Sequence, residues 1–300
     1  MSKRRFLIIG SDGLIGFALL NYLKKANESV ISTTRKKLIK DHTRIYLNLK
    51  DEVRERKFLK SVGEVDTVVF CSGITQADKC EKDKFASRMV NVESVCKLAG
   101  ILANNCRHIV FLSSNAVFDG SKEYPSHEDT VSPVNEYGRQ KSEVEQELLK
   151  LYPSRVTILR LTKVLGARNP LFDDWSHMLK KGASIYPFSD MYIAPIPVSF
   201  VVSVIRLLVD RSVSGILHLS GDQDFSYADI AFMAASWLGA KKVQVKPILA
   251  SESHLHRSLL RQSKTALDIS RLQCELGIIP PKSLWTLQQA FVCPSILNGV

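Results

Sequence analysis

The stretch "RFLIIGSDGLIGFALLNYLKKA" (5–26) decides the fold. After Arg5 it opens on an uninterrupted apolar run, which reads as a strand covered on both faces. From residue 14 onward its apolar positions are Leu14, Ile15, Ala18, Leu19, Tyr22 and Leu23, the spacing of an amphipathic helix. Between the two stand Gly10, Gly13 and Gly16, in the pattern G-x-x-G-x-x-G. Glycines at a strand-to-helix junction permit a tight turn. They also let backbone amides approach an anion at the helix N-terminus, where the dipole favours negative charge. At the first such junction of the chain the pattern predicts a dinucleotide site built from Gly10, Asp12, Gly13, Leu14, Ile15 and Gly16.

The same alternation continues outward. Strands are predicted at 29–34, 44–49, 66–73, 108–114, 155–161 and 215–221. Helices are predicted at 51–62 (capped by Asp51), 84–104, 135–151, 200–210 and 227–240. Strands alternating with helices imply an α/β chain with a Rossmann-type doubly wound parallel sheet. Past residue 161 proline-bearing loops loosen the pattern. We expect a dinucleotide-binding domain over 1–160 and a smaller, interleaved substrate-binding region over 161–300, part of which (about 195–220) returns to the sheet.

At 300 residues and 45% hydrophobic content, the chain has ample material for a core. It has no apolar run of about eighteen residues, so no membrane partner is expected. "MSKRR" is followed by too short an apolar stretch for a signal peptide. The six cysteines (71, 80, 96, 106, 274 and 293) form no C-x-x-C pair. They read as reduced thiols in a cytoplasm, with no metal site. His254 and His256 lack an evident third ligand. The net charge of +11 calls for an anionic partner or a basic surface. Lys and Arg are spread along the chain without a basic block, so nucleic acid is not expected, and a phosphate-bearing small molecule fits equally well.

The end of the second strand bears on the choice of cofactor. An acidic residue there would take the adenosine ribose diol. The chain has "TTRKK" (33–37) instead, so Thr34, Arg35 and Lys36 would meet a 2′-phosphate, while Lys37 reads as surface charge. NADP(H) is preferred and NAD(H) ranks second.

"YGRQK" (137–141) places Tyr137 and Lys141 at i and i+4, on one helix face. An ammonium beside a phenol should lower the phenol pKa from its usual value near 10 toward working pH. Tyr137 could then exchange a proton as hydride moves nearby. "SSNAVFDG" (113–120) ends a strand, where a hydroxyl can bond a reacting carbonyl oxygen.

With these motifs the chain resembles the extended short-chain dehydrogenases/reductases, and more narrowly the dTDP-4-dehydrorhamnose reductase branch. "GSDGLIG" (10–16) matches the glycine turn, and "CSGITQADKCEKDKFASRMVN" (71–91) the segment after the fourth strand. "SSNAVFDG" follows the branch's S-T-D-Y-V-F-D-G, "EYGRQKSEVE" (136–145) its Y-G-x-x-K helix, and "LRLTKVLG" (159–166) its R-x-x-x-V-x-G strand. "RQSKTALDISRLQCELGIIPPKSLW" (261–285) follows its R-P-x-x-S-x-L-D segment and final Trp. The resemblance implies Ser114 as the catalytic hydroxyl, ranked above Ser113. It makes Tyr137 the acid/base and Lys141 the residue that holds the nicotinamide ribose. Asn48, Leu49, Cys71, Ser72 and Gly73 would line the cofactor, and Asn91 would support the strand end or be a water-satisfied helix residue.

Departures fall where the substrate would sit. Asn115 and Ala116 replace Asp-Tyr, Lys163 replaces a Trp, and Gln262 replaces the Pro after Arg261. Thr75, Asn115, Lys163 and Arg261 are the expected substrate contacts. Lys163 could meet a charged sugar or diphosphate, or stay in solvent. Arg261 could clamp the diphosphate or be one exposed Arg among many. Phe172 and Trp175 could shape a sugar pocket, although core packing is the plainer role; Phe232, Met233 and Trp237 read as core. No Asp-Glu pair follows Ser114, which argues against dehydration.

The resemblance thus implies NADPH-dependent reduction of a nucleotide-activated 4-keto-6-deoxysugar in polysaccharide or glycosylation pathways; a homodimer is possible, but the sequence shows no interface signal and leaves oligomeric state open. Two alternatives stay open. One is an epimerase with a tightly held NAD. The other is a non-catalytic NADP-binding subunit, like the regulatory subunit of methionine adenosyltransferase.

Overall fold

The apolar run becomes β1 (Arg5–Ile9), four of its five residues buried. In the computed structural model, which describes residues 3–37, 41–51, 55–253 and 263–299, it is an interior strand of a seven-stranded sheet. It is followed by α1 (Leu14–Lys25), which buries Leu19, Leu20 and Leu23 and ends on Lys24 and Lys25, where cations favour the helix C-terminus. Then come β2 (Ser29–Thr34), β3 (Arg44–Tyr46), α2 (Glu55–Val62) and β4 (Val65–Phe70). After α3 (Ala77–Lys82), α4 (Lys84–Arg88) and α5 (Ser94–Leu102) the chain enters β5 (Cys106–Ser114). It continues through α6 (Glu136–Leu151) to β6 (Val156–Leu161).

The sheet order is (Gly215–Leu219)–β6–β5–β4–β1–β2–β3, and the pairings from β3 through β5 are parallel. The chain first winds from β1 toward β3, then returns to the other side of β1 for β4. That reversal opens a crevice at the C-terminal ends of β1 and β4, where ligands of such sheets bind. Leu7, Ile9, Val68, Phe70, Ile109 and Phe111 pack from the sheet against Leu98, Leu102, Val144 and Leu148 of the helices.

Three elements differ from the sequence expectation. The helix foreseen over 84–104 is interrupted by a π-turn at Met89–Glu93. Val90, Asn91 and Val92 are all buried there, and the wider turn sets Asn91 where its amide bonds Ile74 and Gln140. The third strand stops at Tyr46 rather than 49, because the chain turns between Asn48 and Asp51 (Nδ2 to Oδ1 2.9 Å). The helix expected from 51 is described only from Glu55, and residues 52–54 lie outside the described residues.

The chain divides into two units. The first comprises Met1–Val117, Asn135–Arg160 and Val202–Leu217, and the second Phe118–Val134, Leu161–Val201 and His218–Val300. In the second, helix Pro170–Lys180 is capped by Asn169, and helix Tyr227–Trp237 by a Ser226–Asp229 box. Helix Ser283–Val292 completes the core, with Phe172 stacked on Phe291 at 4.8 Å and Trp175 beside it. Phe172 and Trp175 are therefore core residues (1% and 6% exposed). Phe232 is not: the inward face of its helix is Ile230, Ala231, Ala234 and Ala235, so Phe232 points outward while Met233 and Trp237 are partly buried. No helix of the described residues is long and apolar enough to cross a membrane.

Candidate cofactor and active site

The turn after β1 is fixed from both sides. The Gly10 amide donates to Thr33 Oγ1 (2.9 Å) and the Ser11 hydroxyl to the Thr33 carbonyl (2.9 Å), tying the turn to β2. Gly10 has φ +95°, and a Cβ there would lie 2.8 Å from Ser72, so only glycine fits. Gly13 precedes α1 in extended conformation, and Gly16 faces the Gly10 backbone so closely that it too must lack a side chain.

Around this turn lies a cavity of about 720 Å³. Of the sequence-predicted cofactor residues, Gly10, Asp12, Gly13, Thr34, Arg35, Asn48, Leu49, Cys71, Ser72 and Gly73 line it, as does Thr75 from the substrate set. Leu14, Ile15, Gly16, Lys36, Asn91, Tyr137 and Lys141 are not among its lining residues. The Ser72 hydroxyl is buried there without a hydrogen-bond partner, a donor left for a ligand. A glycine turn under a helix N-terminus, strand ends on either side and an unspent hydroxyl suit a dinucleotide. Lys50, Lys79 and Lys82 add positive charge to the wall, which residue-by-residue reading missed because surface lysines carry no pattern.

Where β2 ends, the Asp12 carboxylate accepts hydrogen bonds from Thr34 Oγ1 (2.5 Å) and Arg44 Nη2 (2.5 Å). Burial works to raise its pKa, but the Thr34 and Arg44 contacts win and hold it below the usual carboxylate value. Arg44 was not foreseen; it is one strand away, and only the β2–β3 pairing brings it here. Lys36 donates its backbone amide to Thr34 Oγ1 (3.2 Å).

Ser114 closes β5, and Tyr137 and Lys141 lie on α6, which starts where Asn135 caps the Gly138 amide (2.8 Å). The Ser114 hydroxyl is near enough to Tyr137 to favour the ionised phenol, while its own hydrogen bond runs to Asn115 Oδ1 (3.3 Å). Lys141 is buried (6% exposed), its Nζ donating to the Leu112 carbonyl (2.8 Å) and standing 5.8 Å from the Tyr137 ring centre. Burial pushes the Tyr137 phenol up to about 12. This corrects the expectation of a phenol lowered toward working pH: desolvation dominates, and what offsets it in part is Ser114. Burial brings Lys141 down to about 8, although the charge of Glu145 acts to raise it. Lys141 in turn acts on Cys71 of the cavity wall, whose thiol burial raises to about 12.

A second tier holds these groups. Glu145, one turn beyond Lys141, pairs with Arg160 (Oε2 to Nη2 2.7 Å), the two side chains 3% and 2% exposed. Ser113 donates to Glu145, so it turns away from Ser114 and Tyr137. Asn91, in the π-turn, accepts from the Ile74 amide (2.7 Å) and donates to the Ile74 carbonyl (3.0 Å) and to Gln140 Oε1 (2.8 Å). It therefore ties the cavity loop to α6 and is a buried structural link, not a water-satisfied helix residue. Gln140 and Glu145 sit within the quoted Tyr–Lys motif, yet their roles depend on partners 49 and 15 residues away.

Of the remaining substrate candidates, Asn115 opens a short 3-10 turn and accepts from Ser114 (3.3 Å). Lys163 belongs to the second unit, exposed, its carbonyl accepting from the Ile196 amide (2.9 Å). Arg261, with Gln262, His254 and His256, lies outside the described residues.

Comparison with known proteins places this arrangement. dTDP-4-keto-6-deoxy-D-glucose reductase of Streptomyces niveus is 28% identical over 294 residues, covering 96% of this chain and 96% of its own. Methionine adenosyltransferase 2 subunit beta of Rattus norvegicus is 25% identical over 288 residues, covering 92% of this chain and 83% of its own. Among solved structures, dTDP-4-dehydrorhamnose reductase of Bacillus anthracis, in complex with NADP, superposes with a TM-score of 0.84 at 20% identity, over 97% of this chain and 99% of that one. Residues 4–291 match the family described as RmlD substrate binding domain, a span running from β1 into the last long helix. The chain belongs to the RmlD substrate binding domain family.

Proposed function

We propose that this chain is an oxidoreductase that reduces the keto group of a nucleotide-activated 4-keto-6-deoxysugar with NADPH, NADH being the second choice, and that Tyr137 donates the proton. The observation that carries this is the meeting of Tyr137 and Lys141 on α6, Nζ 5.8 Å from the ring centre, with Ser114 at the end of β5, the strand beside the β4 end that gives Cys71 to the dinucleotide cavity. The nicotinamide, when bound, supplies the hydride. Tyr137, held protonated by its raised pKa, can give its proton to the oxygen that gains charge. Ser114 orients the phenol and offers its hydroxyl to the same oxygen, and the Lys141 ammonium stabilises that charge until the proton arrives.

Residues 1–160 would hold the dinucleotide, with about 195–220 joining them, and the rest of 161–300 the sugar nucleotide. Thr75, Asn115, Lys163 and Arg261 are the side chains we assign to substrate. A homodimer in the cytoplasm is the working form, with sedimentation as its check. The names of the reductase relatives support the substrate class.

The test is NADPH oxidation with a panel of nucleotide 4-keto sugars differing in base and sugar. Tyr137→Phe should cost roughly 10²–10⁴-fold in kcat with NADPH affinity kept. A wild-type chain inert toward the whole panel would sink the assignment. The likeness to methionine adenosyltransferase subunit beta favours one other reading, a dinucleotide-binding subunit without turnover. Tight NADPH binding, no oxidation and a stable partner complex would establish it. Purified protein carrying stoichiometric, non-exchanging NAD would instead indicate an epimerase.

A further inference from the structure

At the end of β2 the protein holds both charges that discriminate between the two dinucleotides. A carboxylate at this place accepts the adenosine ribose diol, and a guanidinium receives a 2′-phosphate. Here the carboxylate arrives from the glycine turn (Asp12) and the guanidinium from β3 (Arg44), and they are bonded to each other at 2.5 Å. Thr34 Oγ1 donates to the second Asp12 oxygen, which fixes the carboxylate toward the strand end. Asp12 lines the cavity beside Thr34 and Arg35. Arg44 is not itself a lining residue of the cavity and reaches its wall through Asp12, but its side chain is 26% exposed and Asp12 takes only Nη2, which leaves the guanidinium further donors.

Resting on the dinucleotide assignment above, we propose that the Asp12–Arg44 pair sets cofactor choice, Asp12 receiving the 2′-hydroxyl of NAD(H) and Arg44 the 2′-phosphate of NADP(H). Each cofactor takes one member of the pair and leaves the other to be accommodated. A 2′-phosphate gains Arg44, with Arg35 nearby, but meets the carboxylate. A 2′-hydroxyl gains the carboxylate and leaves the Asp12–Arg44 bond in place. Cofactor preference is thereby a balance between two named side chains, and the basic "TRKK" segment alone does not decide it.

The experiment titrates NADPH and NADH separately into the full chain and reads the dissociation constant of each from nucleotide fluorescence. Wild type, Asp12→Asn and Arg44→Ala are compared. Asp12→Asn removes the repulsion and should shift the NADH-to-NADPH ratio of Kd values toward NADPH by about tenfold. Arg44→Ala should shift it toward NADH by roughly ten- to a hundredfold, the worth of one charge-assisted bond. A merely structural disturbance weakens both dinucleotides alike and leaves the ratio where it was. Ratios within about twofold of wild type in both variants would overturn the proposal while leaving the dinucleotide site standing. A wild-type chain that binds neither nucleotide would overturn the site assignment, and this proposal with it.

Discussion

Removing the Glu145 carboxylate should separate what the buried pair does for folding from what it does for Lys141. Glu145 and Arg160 are 3% and 2% exposed and joined at 2.7 Å and twice at 3.1 Å. Glu145→Leu leaves a guanidinium buried without its counter-charge. Breaking a buried pair from one side costs about 3–5 kcal/mol, and at roughly 2–4 °C per kcal/mol the midpoint of thermal unfolding should fall by about 6–20 °C. The double variant Glu145→Leu/Arg160→Met replaces both charges by apolar groups and should recover most of that loss. Lys141 responds differently. Glu145 is one turn away and raises the lysine pKa against the burial that lowers it to about 8. Unit charges about 6 Å apart at an effective dielectric near 20 interact by about 2.8 kcal/mol, or about two pKa units, an upper figure for this effect. The ammonium would then be lost at lower pH, and the alkaline limb of the kcat/KM profile for NADPH oxidation should move down by about one to two units. It should move in the single and double variants alike, because both lack the carboxylate. Thermal melts and pH–rate profiles on the three proteins decide the matter. A double variant that regains stability and also regains the wild-type alkaline limb would refute any electrostatic action of Glu145 on Lys141.

Two further outcomes follow from named contacts. Gly10→Ala forces a Cβ onto a residue at φ +95° and into Ser72 at 2.8 Å, so it should cost about 1–3 kcal/mol in backbone strain alone and abolish dinucleotide binding, checked by melting and titration. His108 is buried, its Nε2 paired with Thr157 Oγ1 at 2.7 Å and its Nδ1 unpartnered, and burial lowers its pKa below 6.5. A depressed histidine pKa means the unfolded chain takes up the proton first, so its contribution is whole above pH 6.5 and is lost as pH falls below it. His108→Leu should flatten the fall in melting temperature between about pH 7 and about pH 5, and an unchanged slope would contradict this.

The sheet was legible because each strand is a short apolar run and each crossover helix has its own period. The glycine turn was legible because its residues are consecutive. What escaped depends on pairing between distant segments. Arg44 reaches Asp12 only through the β2–β3 register, and Arg160 reaches Glu145 from a different strand. The Tyr137–Lys141 spacing was visible, but the sign of the tyrosine shift was not, because burial of the phenol is a property of the packed fold. The break in the helix over 84–104 escaped for a similar reason: its Asn91 serves the Ile74 loop, 17 residues upstream.

That break has a consequence for how the chain can vary in length. One extra residue in the coil at Met89–Glu93 sets the phase of everything from Ser94 onward relative to Lys84–Arg88. Excising a single position there would restore an even spiral, rotate the Asn91 amide off its axis, and unfasten the crevice rim from the helix bearing Tyr137. Insertions are cheap in most surface loops; this buried coil is a spacer whose count is fixed to one residue.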